Sequence, residues 1–314
     1  MRLFRKKFNY LCAIESLNER NKMKIITLTL LSALLALSAS AEKTYKYRVN
    51  LKDKVGTTYT VDHPEAFLSE RALERRNRQQ LPIDETDLPV SQTYVKELLG
   101  TGARLVTTSK WNNTVVLEVA DTTLMDKVKE MSFVSKVKKV WTAPDSIPAR
   151  NKKRKKEVTN EWKQAGYEYG KAFRQINIHG GDSLHAAGFT GKGMHVAVID
   201  AGFYNVDAIK LFEGMDLLGT RDFVNPASDI YAENGHGMMV LSCMAANAED
   251  AFVGTAPEAS FWLLRSEDAD TEQPIEEDYW AAAIEFADSA GVDVVNTSLG
   301  YHIIPNLEIR KLTS

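Results

Sequence analysis

The sequence predicts an α/β protein in which helices flank a parallel β-sheet, preceded by a smaller α+β domain. Residues 194–199 (MHVAVI) form a short apolar run bounded by glycines, which is typical of a parallel strand buried on both faces. Further along, an apolar strand (259–264), a helix (275–290) and a second apolar strand (292–297) indicate a right-handed parallel crossover. Near the amino terminus, the alternation of apolar and polar residues at 45–51 predicts a half-buried strand.

Composition and charge fit a globular protein that can bury a core. The 314 residues are 44% hydrophobic and 26% charged, and this length normally makes about two domains. The net charge of −3 argues against nucleic-acid binding, because a domain that binds phosphates carries a basic excess. Cysteines occur only at positions 12 and 243. We expect Cys243 to be a small apolar residue in the core of a helix.

The first predicted element is a secretory signal peptide at residues 23–41. It has one lysine, an apolar run at 25–37 and Ala39-Ser40-Ala41 as a small-residue cleavage site. The apolar run is about 13 residues long, short of the roughly 20 that span a bilayer, so a stable membrane span is the weaker interpretation. We therefore expect a secreted, periplasmic or cell-envelope protein whose translation begins at Met23 rather than at Met1.

Residues 42–149 are predicted to form a small α+β domain. An antiparallel sheet with helices on one side is expected. The arginines of its first helix, Arg71, Arg75, Arg76 and Arg78, are expected to face solvent. The predicted elements are a strand at 45–51, helices at 64–80 and 91–99, a hairpin of strands at 103–111 and 114–119, a helix after Asp121 and a strand at 134–141.

A basic linker at residues 150–166 is predicted to separate this domain from a second one at 167–314. Its core is RNKKRKK (150–156), a run of like charges next to prolines that cannot pack into a core. Exposed linkers are where proteases cut, so the segment is either a processing site or simply a solvated tether. The sequence favours neither interpretation.

Two polar residues of the second domain stand where chemistry is expected. Asp200 ends the buried strand, at the carboxyl edge where α/β sheets open their crevices. His236 lies between two glycines and begins a predicted helix. Aspartate followed by histidine is also the order of the first two members of an Asp, His, Ser catalytic triad. Four residues of the helix recur at helical spacing and are expected to face the core: Met239, Val240, Cys243 and Met244.

Four motifs resemble, in order, those of the subtilisin-like serine proteases, the subtilase or peptidase S8 family. They are IDAGF (199–203), NGHGMMV (234–240), VGTAPEASFWLLR (253–265) and VDVVNTSLG (292–300). The resemblance implies a subtilisin-like parallel sheet flanked by helices, and hydrolysis of polypeptide substrates by an Asp-His-Ser triad. It assigns proton transfer to His236 and orientation of the imidazole ring to Asp200. It also makes Ser298, Leu299 and Gly300 the strand whose backbone pairs with the substrate.

Members of this family are typically made with an N-terminal propeptide of ferredoxin-like architecture, which assists folding and blocks the cleft until it is cut. Residues 42–149 resemble such a propeptide in their placement and their order of elements. The expected partner of the peptidase domain is therefore the chain's own propeptide. The alternative is a stable accessory domain.

The chain departs from the family pattern at three positions and at its end. Position 201 is Ala where the family usually has Ser or Thr, and positions 238 and 239 are both Met. The chain also ends at Ser314, before the oxyanion-hole asparagine and the Gly-Thr-Ser-Met-Ala motif of the nucleophile. We therefore expect the N-terminal part of a precursor, truncated before the serine and inactive as it stands. The alternative is a non-catalytic pseudoprotease, or a propeptide-type inhibitor or chaperone of a separate protease.

No cofactor is expected to be required, and structural calcium is not indicated. Four aspartates between the two candidate catalytic residues could in principle bind calcium, as in some family members. Their spacing matches no EF-hand loop, so we expect solvated carboxylates. The four are Asp207, Asp216, Asp222 and Asp229.

Overall fold

The computed structural model describes residues 43–145, 169–249, 251–302 and 310–311. The predicted signal peptide (23–41) and the basic run (150–156) lie outside the described residues. Residues Thr44–Ser314 belong to one compact unit, and the two predicted domains pack against each other within it. Among the residues that the structure describes, no helix is long and apolar enough to cross a bilayer.

The amino-terminal part is built on a four-stranded antiparallel sheet in the order β2-β3-β1-β4. The central strand β1 pairs with both β3 and β4, so this order confirms the predicted antiparallel sheet. The hairpin between β2 and β3 turns at Asn113, whose φ of 49° is a left-handed conformation that asparagine tolerates. The strands are β1 (Tyr45–Leu51), β2 (Arg104–Ser109), β3 (Thr114–Val119) and β4 (Val134–Thr142).

Three α-helices accompany this sheet, and the predicted helix at 64–80 is wrong at its amino end. Pro64–Ala66 is a separate 3₁₀ turn, and the α-helix begins only after Ser69. The Ser69 hydroxyl oxygen accepts a hydrogen bond from the N–H of Ala72 at 3.1 Å, which is a normal helix cap. The helices are α1 (Glu70–Gln79), α2 (Gln92–Leu99) and α3 (Leu124–Lys129).

The second half of the chain contributes a four-stranded parallel sheet in the order β10-β5-β9-β6. Val198 and Ile199 of β5 and Leu263 and Leu264 of β9 are fully buried, which explains the uninterrupted apolar runs in the sequence. Two short antiparallel pairs, β7 with β8 and β11 with β12, complete the described strands. The strands are β5 (His195–Asp200), β6 (Asp216–Asp222), β7 (Asn247–Ala248), β8 (Phe252–Val253), β9 (Ser260–Arg265), β10 (Val294–Thr297), β11 (Tyr301–His302) and β12 (Arg310–Lys311).

Helices cover the parallel sheet, and one of them shows an orientation that differs from the prediction. In α6 the buried residues are Gly237, Leu241 and Ala245, whereas Met239 and Cys243 are exposed. The predicted core face of this helix is therefore wrong for Met239 and Cys243, because apolar residues surround most of the helix and leave the buried side ambiguous. The helices are α4 (Phe173–Ile178), α5 (Gly181–Ala186), α6 (His236–Ala245) and α7 (Glu276–Ser289).

The antiparallel sheet packs directly on α7. Val116 and Val140 of the sheet share an apolar cluster with Tyr279, Ala282 and Ala283 of the helix. The same cluster continues into the parallel sheet beneath the helix. As a result, α7 is covered on both sides, which explains why eight of its residues are buried.

Polar contacts hold both ends of this interface. At the start of α7, Arg48 donates to Asp278 with Nε 2.5 Å from Oδ1, and Lys46 donates to the hydroxyl of Tyr279 at 2.8 Å. Near the end of the helix, the buried carboxylate of Glu285 accepts three hydrogen bonds from the turn after β2. The donors are Ser109 Oγ at 2.5 Å, Lys110 N at 2.8 Å and Trp111 N at 3.1 Å.

Three of the four arginines of α1 also face this interface. Arg76 is buried and Arg71 and Arg75 are half-buried, whereas Arg78 is exposed. The prediction that all four face solvent is therefore wrong for three of them. Charged residues of a surface helix usually do face water, and each of these arginines has a partner more than 200 positions away in the sequence. Arg76 also pairs with Asp87 of the same domain.

Candidate active site

Asp200 is placed by the parallel sheet at the carboxyl end of β5. Its side chain is completely buried. The N–H of Ala201 donates to Asp200 Oδ1 at 2.7 Å, which satisfies part of the hydrogen-bonding capacity of the carboxylate without neutralising it. A buried carboxylate at this position can hold a partner that carries or acquires a positive charge.

The first residue of α6 provides that partner. The Nδ1 atom of His236 lies 2.8 Å from Oδ1 and 3.0 Å from Oδ2 of Asp200. Since a carboxylate only accepts hydrogen bonds, Nδ1 carries the proton and Nε2 keeps its lone pair. The imidazole is 40% exposed although Asp200 is fully buried. The ring thus joins a buried charge to a surface that a substrate can reach.

Two glycines allow this approach of helix to strand. A Cβ atom at Gly237 would lie 2.6 Å from the carbonyl oxygen of Gly202 and 2.8 Å from Cβ of Asp200. At Gly202, where φ is 150°, a Cβ atom would lie 2.5 Å from the amide nitrogen of Asn234. No side chain fits at either position, so the glycines of IDAGF and NGHG are explained by contact between the two backbones.

Arg265 lies on the strand next to Asp200, and the sequence motifs did not identify it as part of the site. It ends β9, and the register of the sheet places it opposite Asp200. Its Nε atom donates to the carbonyl of Ala201 at 3.0 Å, and its Nη1 atom donates to Asp222 Oδ2 at 2.9 Å. Glu233 Oε2 is 3.7 Å from Nη2. The arginine thereby ties the ends of β5 and β6 to the segment just before His236.

The sequence does contain an indication that Arg265 is buried and paired. Arginine is unusual at the end of the apolar strand SFWLLR, and such a buried charge requires acidic partners. The three side chains, Arg265, Asp222 and Glu233, are all at least nine-tenths buried. Which carboxylates would pair with the arginine depends on the order of strands in the sheet, which the sequence does not specify.

Ser298, Leu299 and Gly300 follow β10 at the same edge of the sheet. Thr297 pairs with Ile199 in parallel register, so residue 298 leaves the sheet next to Asp200. All three residues are partly exposed. β10 is also the outermost strand of the described sheet. The structure thus brings the segment to the same side as Asp200 and His236, although it shows no contact between the segment and the His236 ring.

Several serines of the described chain form hydrogen bonds with groups other than His236, and the buried Ser266 Oγ has no hydrogen-bond partner. Ser242 Oγ donates to the carbonyl of Met239 at 2.6 Å, and Ser260 Oγ donates to Asp216 at 2.5 Å. Ser298 Oγ lies 3.4 Å from Asn296 Oδ1. Within the described residues, therefore, no serine hydroxyl makes a hydrogen bond with the candidate base.

The four aspartates considered for calcium have varied surroundings. Asp222 is buried and paired with Arg265, so the expectation that it is solvated is wrong. Asp216 accepts the Ser260 hydroxyl, and Asp229 caps a turn by accepting from Tyr231 N at 3.0 Å. Over the described ranges, no group of three or more His, Cys, Asp or Glu side chains is arranged to hold a metal ion.

Each of the two parts of the chain matches the model of a known protein family. Residues 191–308 match the model of the subtilase family. Residues 46–160 match the model described as the peptidase S8 propeptide domain of Bacteroidota. The match to the first model includes Asp200, His236 and Ser298–Gly300. The match to the second includes the antiparallel sheet, apart from the first residue of β1, and helices α1 to α3.

Curated relatives and solved structures with similarity to the chain are proteases. Subtilisin BL of Lederbergia lenta is 32% identical over 119 residues, which are 38% of this chain and 41% of that protein. Subtilisin E of Bacillus subtilis (strain 168) is 32% identical over 120 residues, which are 38% of this chain and 30% of that protein. Fervidolysin from Fervidobacterium pennivorans, a keratinolytic enzyme related to subtilisin, superimposes with a TM-score of 0.48 at 15% identity, over 83% of this chain and 36% of that one. The chain spans less than half the length of these relatives.

Proposed function

We propose that this chain, whose residues 46–160 are a peptidase S8 propeptide domain and whose residues 191–308 belong to the subtilase family, is the N-terminal part of the precursor of a secreted serine endopeptidase. Family membership makes it a serine protease by class. The observation that supports the catalytic assignment is the 2.8 Å contact between His236 Nδ1 and Asp200 Oδ1, made by an imidazole that is itself partly exposed.

In the proposed mechanism, His236 acts through Nε2. Because Asp200 holds the proton on Nδ1, the lone pair of Nε2 is available to accept the proton of a serine hydroxyl. The same nitrogen then gives that proton to the leaving amine of the cleaved peptide. While the ring is doubly protonated, the buried carboxylate 2.8 Å away stabilises its positive charge. The serine and the oxyanion-hole donors are proposed to come from sequence after residue 314.

The substrate is proposed to be a polypeptide that binds as an added strand beside Ser298, Leu299 and Gly300. These residues follow an edge strand of the parallel sheet and are partly exposed. Backbone hydrogen bonds from such an edge provide affinity for any extended peptide, whereas side-chain pockets provide specificity. The scissile bond would then lie at the edge of the sheet that carries Asp200 and His236.

The amino-terminal domain is proposed to assist folding of the peptidase and to inhibit it until it is removed. Its sheet covers α7, the helix that precedes the substrate-binding segment. A signal peptide at residues 23–41 is proposed to direct the precursor to the periplasm, the cell envelope or the medium. No cofactor is proposed for the reaction.

A second candidate function is supported by the independent core of the amino-terminal domain. Val49, Leu98, Leu117 and Met125 are nearly or fully buried in a cluster that contains no residue of the peptidase part. A domain with its own core can fold and act separately. In this alternative the chain is non-catalytic, and residues 42–149 inhibit or chaperone a protease encoded elsewhere.

A peptidase assay on the full product of the gene separates the two candidates. The secreted protein, including any residues encoded after position 314, is incubated with a fluorescently quenched casein, as are the His236→Ala and His63→Ala variants. His63 is an exposed histidine of the amino-terminal domain and serves as the control. The endopeptidase proposal expects hydrolysis by wild type and His63→Ala and none by His236→Ala. Hydrolysis by none of the three proteins would support the non-catalytic alternative, and equal hydrolysis by all three would contradict the role assigned to His236.

A further inference from the structure

Helix α1 of the amino-terminal domain contacts the carboxyl end of α7, and the family matches do not identify the residues of this contact. The last four carbonyl groups of any α-helix lack partners within the helix. After Ser289, where α7 ends, the chain turns at Gly291 and enters β10 at Val294. The N–H groups of Ala290, Gly291 and Val292 already bond the carbonyls of Phe286, Asp288 and Ala287, so the turn has its own cap. The carbonyls of Ser289, Gly291 and Val292 receive donors from α1, a helix of the other domain, and from its cap.

Donors from α1 and its cap reach four carbonyl groups at the end of α7 and in the turn that follows. The amide N–H of Ser69 donates to the carbonyl of Ser289 at 2.9 Å. Arg75 donates to the carbonyl of Val292 at 2.7 Å, and it also bonds the carbonyl of Asp288 at 3.4 Å. Arg71 donates from Nε to the carbonyl of Gly291 at 3.1 Å. The amino-terminal domain thus adds to the local cap at the carboxyl end of α7, a helix to which it is not adjacent in sequence.

Asp288 gives the arginines of α1 an electrostatic role as well. It is the penultimate residue of α7, where the helix dipole is negative and a carboxylate is unfavourable. Arg75 and Arg76 lie 2.5 Å and 2.8 Å from its two oxygens. Burial by itself raises the pKa of Asp288, but the hydrogen bonds from Arg76 and Arg75 outweigh burial and bring that pKa below its ordinary value. The two arginines, together with Lys110 Nζ at 3.5 Å from Oδ2, therefore stabilise the negative charge at the helix end.

Arg71 extends the contact to the strands that carry the candidate site. Besides Gly291, it bonds the carboxylate of Asp293 and, at 2.9 Å, the carbonyl of Gly193. Asp293 Oδ2 also accepts the N–H of His195 at 2.9 Å. Gly193 and His195 lead into β5, and Asp293 leads into β10. One arginine thus holds together the amino ends of two neighbouring parallel strands.

The backbone of α1 also touches the backbone of the turn after α7, at Gly291. This residue has a φ of 80°, and a Cβ atom on it would lie 2.6 Å from the amide nitrogen of Ala72. Only glycine permits α1 to approach the turn this closely. The contact between α1 and this turn therefore depends on close backbone packing as well as on ion pairs. The packing at Gly291 fixes the position of α1 along the turn.

We propose that α1 of the propeptide domain is an assembly clamp, which braces the end of α7 and sets the register of β5 and β10 through Arg71 and Arg75. Asp200 lies at the far end of β5, and Ser298–Gly300 follow β10. The clamp therefore fixes the distance between the Asp200–His236 pair and the proposed substrate-binding segment. Once the propeptide is removed, Asp288 and Asp293 lose their arginine partners, whereas the backbone hydrogen bonds within the turn remain. This proposal concerns folding and is independent of whether the chain hydrolyses peptides.

Hydrogen exchange of the full chain, followed by mass spectrometry, tests the clamp. Wild type is compared with the Arg71→Ala/Arg75→Ala double variant and with Arg104→Ala, whose arginine is 74% exposed and pairs with Glu118 inside the propeptide sheet. We expect the double variant to exchange at least about tenfold faster in peptides covering 286–297 and 193–198. Peptides from β1 and β3 should keep wild-type rates, and Arg104→Ala should match wild type throughout.

Lysine variants keep the test decisive if the double alanine variant does not fold. Arg71→Lys and Arg75→Lys retain the charge but lose the guanidinium fork that reaches a carbonyl and a carboxylate together. The clamp predicts faster exchange of 286–297 in Arg75→Lys, and of both 286–297 and 193–198 in Arg71→Lys. Unchanged exchange in the arginine variants, or an equal increase over the entire chain, would overturn the proposal, because neither result singles out the end of α7.

Discussion

His236 and Asp200 meet across the join between a helix and a strand, with Nδ1 2.8 Å from Oδ1, although 36 positions separate them in the sequence. The contact depends on the absence of side chains at Gly202 and Gly237, where the two backbones are too close for a Cβ atom. It combines a fully buried carboxylate with a partly exposed imidazole. That combination fixes the tautomer of the histidine and leaves Nε2 available for proton transfer.

Replacing Asp200 by Asn should reduce kcat by about 10⁴ in the complete enzyme while leaving the fold intact, because an amide no longer enforces the productive tautomer of His236. KM should change little, since Asp200 is buried and does not reach the substrate. Steady-state kinetics on a peptide substrate measure both constants. Asp207→Asn, at an exposed position of the same domain, is the matched control and should retain wild-type kcat. A loss of less than about tenfold in Asp200→Asn would contradict the assigned role.

Replacing Arg265 by Met should lower the free energy of unfolding by about 3–5 kcal/mol, because it leaves Asp222 and Glu233 buried without their cation. Urea unfolding of the wild type and the variant gives this difference. Arg265→Lys keeps the charge and should recover part of the loss, which a purely steric role of the arginine would not predict. Stability of the methionine variant equal to wild type would show that the network does not support the loop after Asp200.

Glu276, at the start of α7, should make stability fall as the pH rises. Burial, assisted by the nearby charge of Asp268, raises the pKa of its carboxyl from 4.5 to about 8. Because the folded-state pKa lies above the unfolded one, the stabilising contribution is fully present below pH 4.5 and is lost as the pH rises through about 8. Each unit of difference corresponds to about 1.4 kcal/mol.

Glu276→Gln tests this pH dependence, since glutamine is neutral at every pH. Chemical unfolding between about pH 5 and pH 8 should show a flatter profile for the variant than for wild type. Glu74→Gln, at an exposed position of α1, should follow the wild-type profile. Parallel profiles for Glu276→Gln and wild type would mean that the Glu276 carboxyl titrates as an ordinary exposed group.

Replacing Glu285 by Ala should weaken the contact between the propeptide sheet and α7. The change removes the acceptor of three hydrogen bonds and leaves the N–H groups of Lys110 and Trp111 unsatisfied at the interface. We expect a loss of about 3 kcal/mol, given that bonds to charged acceptors are stronger than neutral ones. Limited proteolysis of the turn after β2 measures the loosening. Glu97→Ala, at an exposed position of the same chain, should be cut at the wild-type rate.

The sequence predicted the parts of the fold that depend on local patterns. The apolar run ending at Asp200 became β5 within one residue, and the crossover formed by β9, α7 and β10 has the predicted order. Positions that need glycine, such as 202 and 237, were visible as motifs because backbone contact allows no other residue. The placement of Asp200 at the carboxyl edge follows from the general construction of α/β sheets.

The remaining features depend on which distant elements meet. Arg71, Arg75 and Arg76 were expected in solvent. The docking of α1 on the end of α7 explains the burial of Arg71 and Arg75, and Arg76 is held by Asp87 of its own domain as well as by Asp288. Asp222 was expected to be solvated, yet strand order places it beside Arg265. Cys243 and Met239 were expected in the core, since a helix with apolar residues on most sides does not reveal which side is buried.

Labelling with a fluorophosphonate probe tests the proposed triad most directly. The full secreted product of the gene and its His236→Ala variant are treated with the probe, digested and analysed by mass spectrometry to locate the modified residue. A triad containing Asp200 and His236 predicts one modified serine in the wild type, encoded after position 314, and no modification in the variant. Absence of labelling in wild type, labelling that persists in His236→Ala, or modification of a serine within residues 1–314 would contradict it.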